Sequence, residues 1–491
     1  VALAFAVPDH PWVDSSTGAA VRVAMTVGAR ADRFDAVAGR LSRVSAEKPG
    51  GGGASDVVLE ETTGRINADL TSGADVTLAT PLLANAGLSN RGVTPVGTGF
   101  RVTEDEAARL GLGRIHGLDR HIRPYQNGKD VTATPRGYYI IDLLGVEEND
   151  ARERFPEVYE HLLREVKPGR DLVRRASYRD RWWILGEARS SFRPALAGLS
   201  RFIATPYVAK HRPFVFLDAS VLPDEALIAV ASDDAFHLGV LSSSVHIAWA
   251  LAAGGRLGVG NDPRYNNSRT FEPFPFPDAS VQQAETVRTL GEAIDAHRKA
   301  RQAANTDLGL TDLYNTVEAL RAGRALSEKE EATAVTGLAH TLLDLHCRLD
   351  SAVLDCYGWD DLDVDAPTFA QAVLTRLAAL NAERVGEEAR GLVRYLRPSF
   401  QNPEAGDQTT LDVGVAAMTV SKKVQKTPWP KSTTERVVAV RLALGRLALP
   451  MLVTDVAAQF TRAREAEVAD VLAALDALGL VERFDDGTYS V

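Results

Sequence analysis

Residues 264–269 read RYNNSR, an unbroken run of side chains that donate or accept hydrogen bonds. Asn266 and Asn267 are of the type that reads an adenine edge through two bonds, and Arg264 and Arg269 are suited to phosphate or guanine. Tyr265 and Ser268 add a ring and a hydroxyl to the same run. The alternative is that these groups bond their own backbone and only shape a loop. A second cluster lies upstream, where Arg120, Arg123, Tyr125, Lys129 and Arg136 surround an Asn127-Gly128 step. It fits either a phosphate-binding loop or a decorated hairpin. The third set is larger. Between Leu163 and Pro213, twelve lysines and arginines stand against four acids, a surplus of eight positive charges in a chain of net charge −10. Arg174, Arg175, Arg179, Arg181, Lys210 and Arg212 belong to it, interleaved with Tyr178, Trp182 and Trp183. Arginine density with aromatic support suits nucleic-acid phosphates, and the competing reading is a solvated face paired with acids elsewhere.

Catalytic signatures are absent from this sequence. There is no GxxxxGKS phosphate loop and no HExxH, and GGRLGVG at 254–260 follows a helical pattern where a dinucleotide fingerprint would follow a strand. Histidines are scattered without a convincing metal pair, so no metal site is expected. Cys347 and Cys356 read as spare thiols of a reducing cytosol.

The elements that must hold these groups follow from patterning. Proline at 273, 275 and 277 excludes helix and disfavours a central strand, so FEPFPFP is a stiff extended strap with Phe271, Phe274 and Phe276 as anchors. The first 65 residues carry Ala/Val-rich segments, VALAFAV and AAVRVAMTVGA, that read as strands buried on both faces, then DVVLEET after a glycine run. Opening on strands without crossover helices, and without an initiator methionine, predicts the end of a larger α/β domain. Residues 66–277 are mixed. GYYIIDLLG, RWWILGEA, RFIATPYVA and PFVFLDASVL predict strands, Thr103 caps a short helix at 104–110, and residues 233–255 form one helix ending at a glycine pair. Residues 278–426 predict a helical domain. From 427 to 491, three helices, the second capped by Thr454, and a two-stranded turn at Asp486-Gly487 predict a winged helix. Its third helix carries Glu465, Glu467, Asp470 and Asp476 and no basic residue, which suits a docking module better than a major-groove reader. The class is α+β, multidomain. Composition is that of globular protein, 45% hydrophobic and 24% charged, and the longest apolar runs are too short or interrupted to span a bilayer.

AFAVPDHPWVDSSTGAAVRVAMTVG, INADLTSGADVT, GLSNRGVTPVGTGFRVTEDEA, IRPYQNGKDVT and RYNNSRTFEPFPFP, in that order, resemble the C-terminal half of the large adenine-specific DNA methyltransferases of bacterial restriction and phage-defence systems, the MmeI-like and DISARM-type enzymes. The resemblance covers residues 1–280 and implies the end of a class I methyltransferase fold followed by a target recognition domain. It implies a cytoplasmic setting, with double-stranded DNA and other defence-system subunits as partners. Trp12 falls where such enzymes place an aromatic against the extruded base, although a core tryptophan is the alternative. The family binds S-adenosylmethionine through a glycine-rich turn and holds the adenine with an Asn-Pro-Pro-Tyr/Phe motif. Neither occurs in the 491 residues, so the resemblance places both upstream of Val1 and leaves this chain with no catalytic residue. A non-enzymatic DNA- or protein-binding subunit is the competing class.

Overall fold

The computed structural model describes residues 2–12, 21–30, 39–49, 55–64, 66–67, 70, 76–257 and 262–403 of the larger part of the chain. Towards the C-terminus it describes 418–419, 427–430, 436–437, 439–440, 444, 452–461, 463–477, 481–483 and 489–490. Two compact units result, Val1–Met418 and Thr419–Val491.

The first unit opens with β1 (Ala2–Trp12), β2 (Val21–Ala29), β3 (Arg40–Pro49) and β4 (Ser55–Thr63) in the order β2-β1-β3-β4. Only the β1–β3 pairing is parallel. Burial on both faces was the sequence expectation, and it does not hold. Ala6, Val7 and Leu41 are buried, whereas Val27, Val58 and Leu59 are 55%, 49% and 42% exposed. Valine fits a pleated strand whether or not its second face is covered, so its presence does not report burial. Strand β3 was not anticipated, because RLSRVSAEKP alternates polar residues on both sides.

Downstream come β5 (Ser89–Arg91), β6 (Arg101–Val102), α1 (Glu104–Arg109), β7 (Ile122–Gln126), α2 (Gly128–Thr132) and β8 (Tyr139–Ile141). Four helices follow: α3 (Glu148–Arg154), α4 (Pro156–Glu165), α5 (Lys167–Asp171) and α6 (Ala176–Asp180). After α7 (Arg193–Leu196) the chain forms β9 (Arg201–Pro206), β10 (Val215–Asp218), β11 (Leu222–Pro223) and β12 (Leu227–Val230). These strands make two small sheets, β10-β9-β12-β5 and β11-β7-β8-β6. Thr103 caps α1 as expected, in a reciprocal capping box with Glu106.

Three local expectations need correction. RWWILGEA forms no strand: Trp182, Trp183, Ile184 and Leu185 are all buried, and the Ile184 amide turns back to the Arg181 carbonyl. Four consecutive apolar residues pack on every side there, which a half-buried strand does not allow. Asn127-Gly128 is not a hairpin turn, since Asn127 caps α2 in a box with Asp130. The long helix over 233–255 is two helices, α8 (Ala235–Ser242) and α9 (Ser244–Ala253), bent by 65°. The cause is local and tertiary together. Ser243 caps α9, and the buried Asp350 carboxylate takes the Ser244 amide and hydroxyl at 2.7 Å each, bonds that a continuous helix would not leave free. No single helix among the described residues is long and apolar enough to cross a membrane.

Five longer helices close the unit: α10 (Val281–Ala304), α11 (Leu310–Arg321), α12 (Glu328–Gly337), α13 (Ala339–Tyr357) and α14 (Phe369–Ala389). One hydrophobic core joins them to a face of the β10-β9-β12-β5 sheet, so no break in packing falls at the sequence boundary of 277/278. The strap lies inside that core. Phe271 and Phe274 are fully buried and Phe276 is nearly so, with ring centroids 5.0 to 5.9 Å apart in edge-on arrangements. Prolines offer no amide for pairing, so other side chains satisfy the strap's carbonyls. The Asn85 amide donates to the Phe271, Glu272 and Phe274 carbonyls at 2.8 to 3.0 Å, Asn381 to Pro273 at 2.7 Å, and Tyr357 to Pro275 at 2.9 Å.

The same core holds His246, fully buried with Nε2 3.0 Å from the Tyr265 hydroxyl. Burial, helped by the Arg212 charge, pulls its pKa down to about 3. In the unfolded chain it titrates near ~6.5, so between these values the unfolded state binds more protons. Its contribution is therefore complete above ~6.5 and falls as the pH drops towards 3, by about 1.4 kcal/mol per pH unit. His246→Gln is expected to flatten the acid side of a stability–pH curve relative to the parent. Asp350, raised by burial, acts oppositely in both proteins and cancels in the difference. Parallel curves from pH 6.5 to 4 would show that His246 is not held neutral.

In the second unit, helices Val453–Ala458 and Glu465–Ala477 and the antiparallel pair Glu482–Arg483 with Tyr489–Ser490 surround a core that includes Val440, Val468 and Leu472. Helix Val453–Ala458 starts after Leu452 with no side-chain cap, so Thr454, inside it, does not cap it. Residues Asp486 and Gly487 lie outside the described residues, as do Gly50 to Gly53.

Candidate nucleic-acid interface

The sheets bring the three basic clusters into one frame, and the frame consumes most of them. Arg123 lies beside β11 and donates to the Ala219 and Ser220 carbonyls at 2.7 and 2.9 Å. Tyr125 is buried with its hydroxyl on the Asp224 carboxylate, and burial followed by that bond pushes its pKa up. Arg136 forms a two-bond pair with the buried Asp130 at 2.8 and 2.9 Å. Arg212 donates to the Pro206 and Pro263 carbonyls, and burial brings its pKa down to about 10. These four build the domain. Tyr125 is buried and Arg123 and Arg212 are half-buried, whereas Arg136 keeps an exposed side chain beside Asp130.

RYNNSR is anchored in the same way. Tyr265 is fully buried against Phe214, and its amide bonds the Tyr207 carbonyl at 2.8 Å. Arg264 pairs its backbone with Val208, and its guanidinium lies 5.9 Å from the Tyr207 ring, whose other cationic neighbour is Arg91 at 4.2 Å. This close passage requires Gly254, because a Cβ there would collide with the Arg264 carbonyl. Asn266 caps a π-helical turn over Asn267–Phe271 by accepting from the Ser268 amide and hydroxyl at 3.0 and 2.8 Å. Asn267 leans on Glu272 at 3.5 Å. Both asparagines thus serve the loop, and of the six residues Ser268 and Arg269 are exposed.

The basic stretch is sorted just as sharply. Arg179 donates to the Val173 and Arg174 carbonyls at 2.7 Å each, and Arg175 lies 4.5 Å over Tyr178 while paired with Glu187 at 2.9 Å. Tyr178 and Arg175 hold the Glu187 carboxyl below its usual range. Lys210 reaches Asn315. Arg170, which the sequence did not single out, is 1% exposed and spans the Pro95, Tyr178 and Ile184 carbonyls. Arg174 and Arg181 are exposed, and among the described residues their guanidinium groups have no hydrogen-bond or ion-pair partner. Arg181 borders a groove of about 420 Å³ shared with Arg175, Tyr178 and Arg189. Of the candidates outside this stretch, Arg120, Lys129 and Arg269 are likewise exposed without such a partner. Trp12, at the end of β1, is 47% exposed, so it is not a core tryptophan.

The exposed arginines lie within the part of the chain for which a comparison with known proteins gives a match. Residues 100–278 match the family model of the MmeI target recognition domain. The matched segment ends one residue beyond the strap's last proline, Pro277, and contains every candidate residue except Trp12. The fold is similar to that of the Type IIL restriction-modification enzyme MmeI, solved in complex with DNA, with a TM-score of 0.57 and 17% identity over 78% of this chain. The chain spans about half of that enzyme, 46% of its length. No curated protein matches the sequence. The resemblance of the ordered motifs to MmeI-like enzymes thus stands, as does the mixed α/β architecture. Arg91 and Gly254 lay within or beside quoted motifs, whereas nothing in the sequence flagged Arg170.

Proposed function

We propose that this chain is the target-reading portion of an adenine-specific, S-adenosylmethionine-dependent DNA methyltransferase of a bacterial restriction or phage-defence system. The match of residues 100–278 to the MmeI recognition domain carries the reading. Arg120, Lys129, Arg174, Arg181 and Arg269, exposed and without a partner among the described residues, supply the cations that a DNA backbone needs. On this reading the cofactor and the flipped adenine are bound by residues of the parent enzyme outside this chain, in a cytoplasmic setting. Trp12, 47% exposed at a strand end, is the aromatic that this reading assigns to the extruded base. The C-terminal unit is read as a winged helix that docks other subunits, because its helix Glu465–Ala477 presents acids where a groove reader presents bases or amides.

Two measurements test this reading. Footprinting of the 491-residue chain on a pool of duplexes is expected to show protection of one preferred sequence. Titration calorimetry with S-adenosylmethionine is expected to show no saturable heat, since neither the glycine-rich turn nor the Asn-Pro-Pro motif is present. Saturable binding would relocate the cofactor site into this chain.

A further inference from the structure

We propose that Leu172 is an apolar wedge pressed into duplex DNA; the inference rests on the recognition reading above and adds an interaction that reading does not contain. Leu172 is 87% exposed, the most exposed of the described large apolar residues. A solitary exposed leucine is unremarkable on a protein surface. This one differs in how it is held. It stands in the link between α5 and α6, and that link is pinned from below at several points. The Leu172 amide bonds the Gly169 carbonyl and the Val173 amide the Arg170 carbonyl, at 3.3 and 3.1 Å. The Arg179 guanidinium clasps the Val173 and Arg174 carbonyls, and Arg170 ties the base of the link to Pro95, Tyr178 and Ile184. A loop with this many backbone bonds has little freedom left to fold its leucine inward.

The charges around it point to one partner. Arg174 is two residues away, and Arg181 lies just past α6 and after the exposed Asp180. Both arginines are exposed and, among the described residues, unpartnered, while the neighbouring acid Asp171 is neutralised by Lys167 at 2.8 Å. A protein-docking surface would surround the leucine with further apolar area. Here its sequence neighbours from Arg174 to Ser177 are exposed and polar or small. An aliphatic tip two residues from the exposed Arg174 on a stiff loop matches a duplex, where apolar side chains enter a base step and cations hold the flanking phosphates.

The test uses the full chain and duplexes carrying 2-aminopurine at successive positions, whose fluorescence rises when its stack opens. Wild-type protein is expected to raise the signal at one step, and Leu172→Ala to abolish that rise and bind about five- to tenfold more weakly. The slope of log K against log salt should stay unchanged, because the arginines that hold the phosphates are still in place. Leu172→Met, which keeps a long apolar side chain, should restore the signal. Circular dichroism confirms folding of each variant. Wild-type binding without a rise at any position, or a rise that survives in Leu172→Ala, overturns the wedge and leaves the recognition reading intact. Absence of wild-type binding to any duplex removes that reading and the wedge with it.

Discussion

Arg174→Ala combined with Arg181→Ala is expected to lower the salt dependence of DNA binding by about 1.8 in the slope of log K against log salt, or ~0.9 for each phosphate no longer neutralised. At low salt the double variant should bind all duplexes at least about tenfold more weakly, without changing which sequence is preferred. The structure separates these two arginines from their neighbours. Arg175 is already neutralised by Glu187, and Arg179 is committed to carbonyls of its own loop. Arg175→Ala should therefore move the slope little, and Arg179→Ala should act mainly through loop order. Among the described residues neither Arg174 nor Arg181 uses its guanidinium internally, so the double variant should keep its melting temperature. Fluorescence anisotropy across a series of salt concentrations measures the slope directly. An unchanged slope would remove this loop from the DNA backbone.

The largest loss of stability is expected at Arg170. Its guanidinium is buried with no carboxylate in ion-pair range among the described residues, and burial lowers its pKa. What solvates the charge is a ring of dipoles: three main-chain carbonyls at 2.8 to 3.0 Å, with the Tyr178 and Phe100 rings 5.2 and 5.4 Å away. Arg170→Met keeps much of the volume but strands three acceptors, each costing about 1–3 kcal/mol when buried without a partner. A total of about 3–5 kcal/mol is expected after some acceptors find water. Arg170→Lys should rescue little, because one ammonium cannot reach carbonyls contributed by three separate segments. Chemical denaturation followed by tryptophan emission reports on the relevant core, since Trp182 and Trp183 pack within it. A loss below about 1 kcal/mol would mean that the clamp is dispensable.

How much of this was legible beforehand differs by level. The start of the strap is not extended as expected: Phe271 ends the π-helical turn and the Phe274 amide turns back to the Phe271 carbonyl. Its later part, from Phe274 on, was readable because proline's fixed φ and missing amide act locally. Thr103 as a cap was readable for the same reason. The bend at Ser243 was not, since it depends on a carboxylate brought in from Asp350. Strand β3 was missed because neither of its faces carries an apolar stripe.

By itself the sequence determined the order of the motifs, the stiffness of 271–277 and the concentration of positive charge at 163–213. Those properties reside in residue type and spacing, and they pointed to a DNA-reading domain. Only the tertiary structure decided which arginines are left available to a ligand. An arginine offers five donors that carbonyls or phosphates can satisfy equally well. Which of them does so depends on backbone arriving from far along the chain, as Pro95 arrives at Arg170 and Ala219 at Arg123. Of the twelve basic residues in the stretch, the fold leaves Arg174 and Arg181 without a side-chain partner among the described residues. The two look no different from the other ten until the fold has supplied acceptors to the rest.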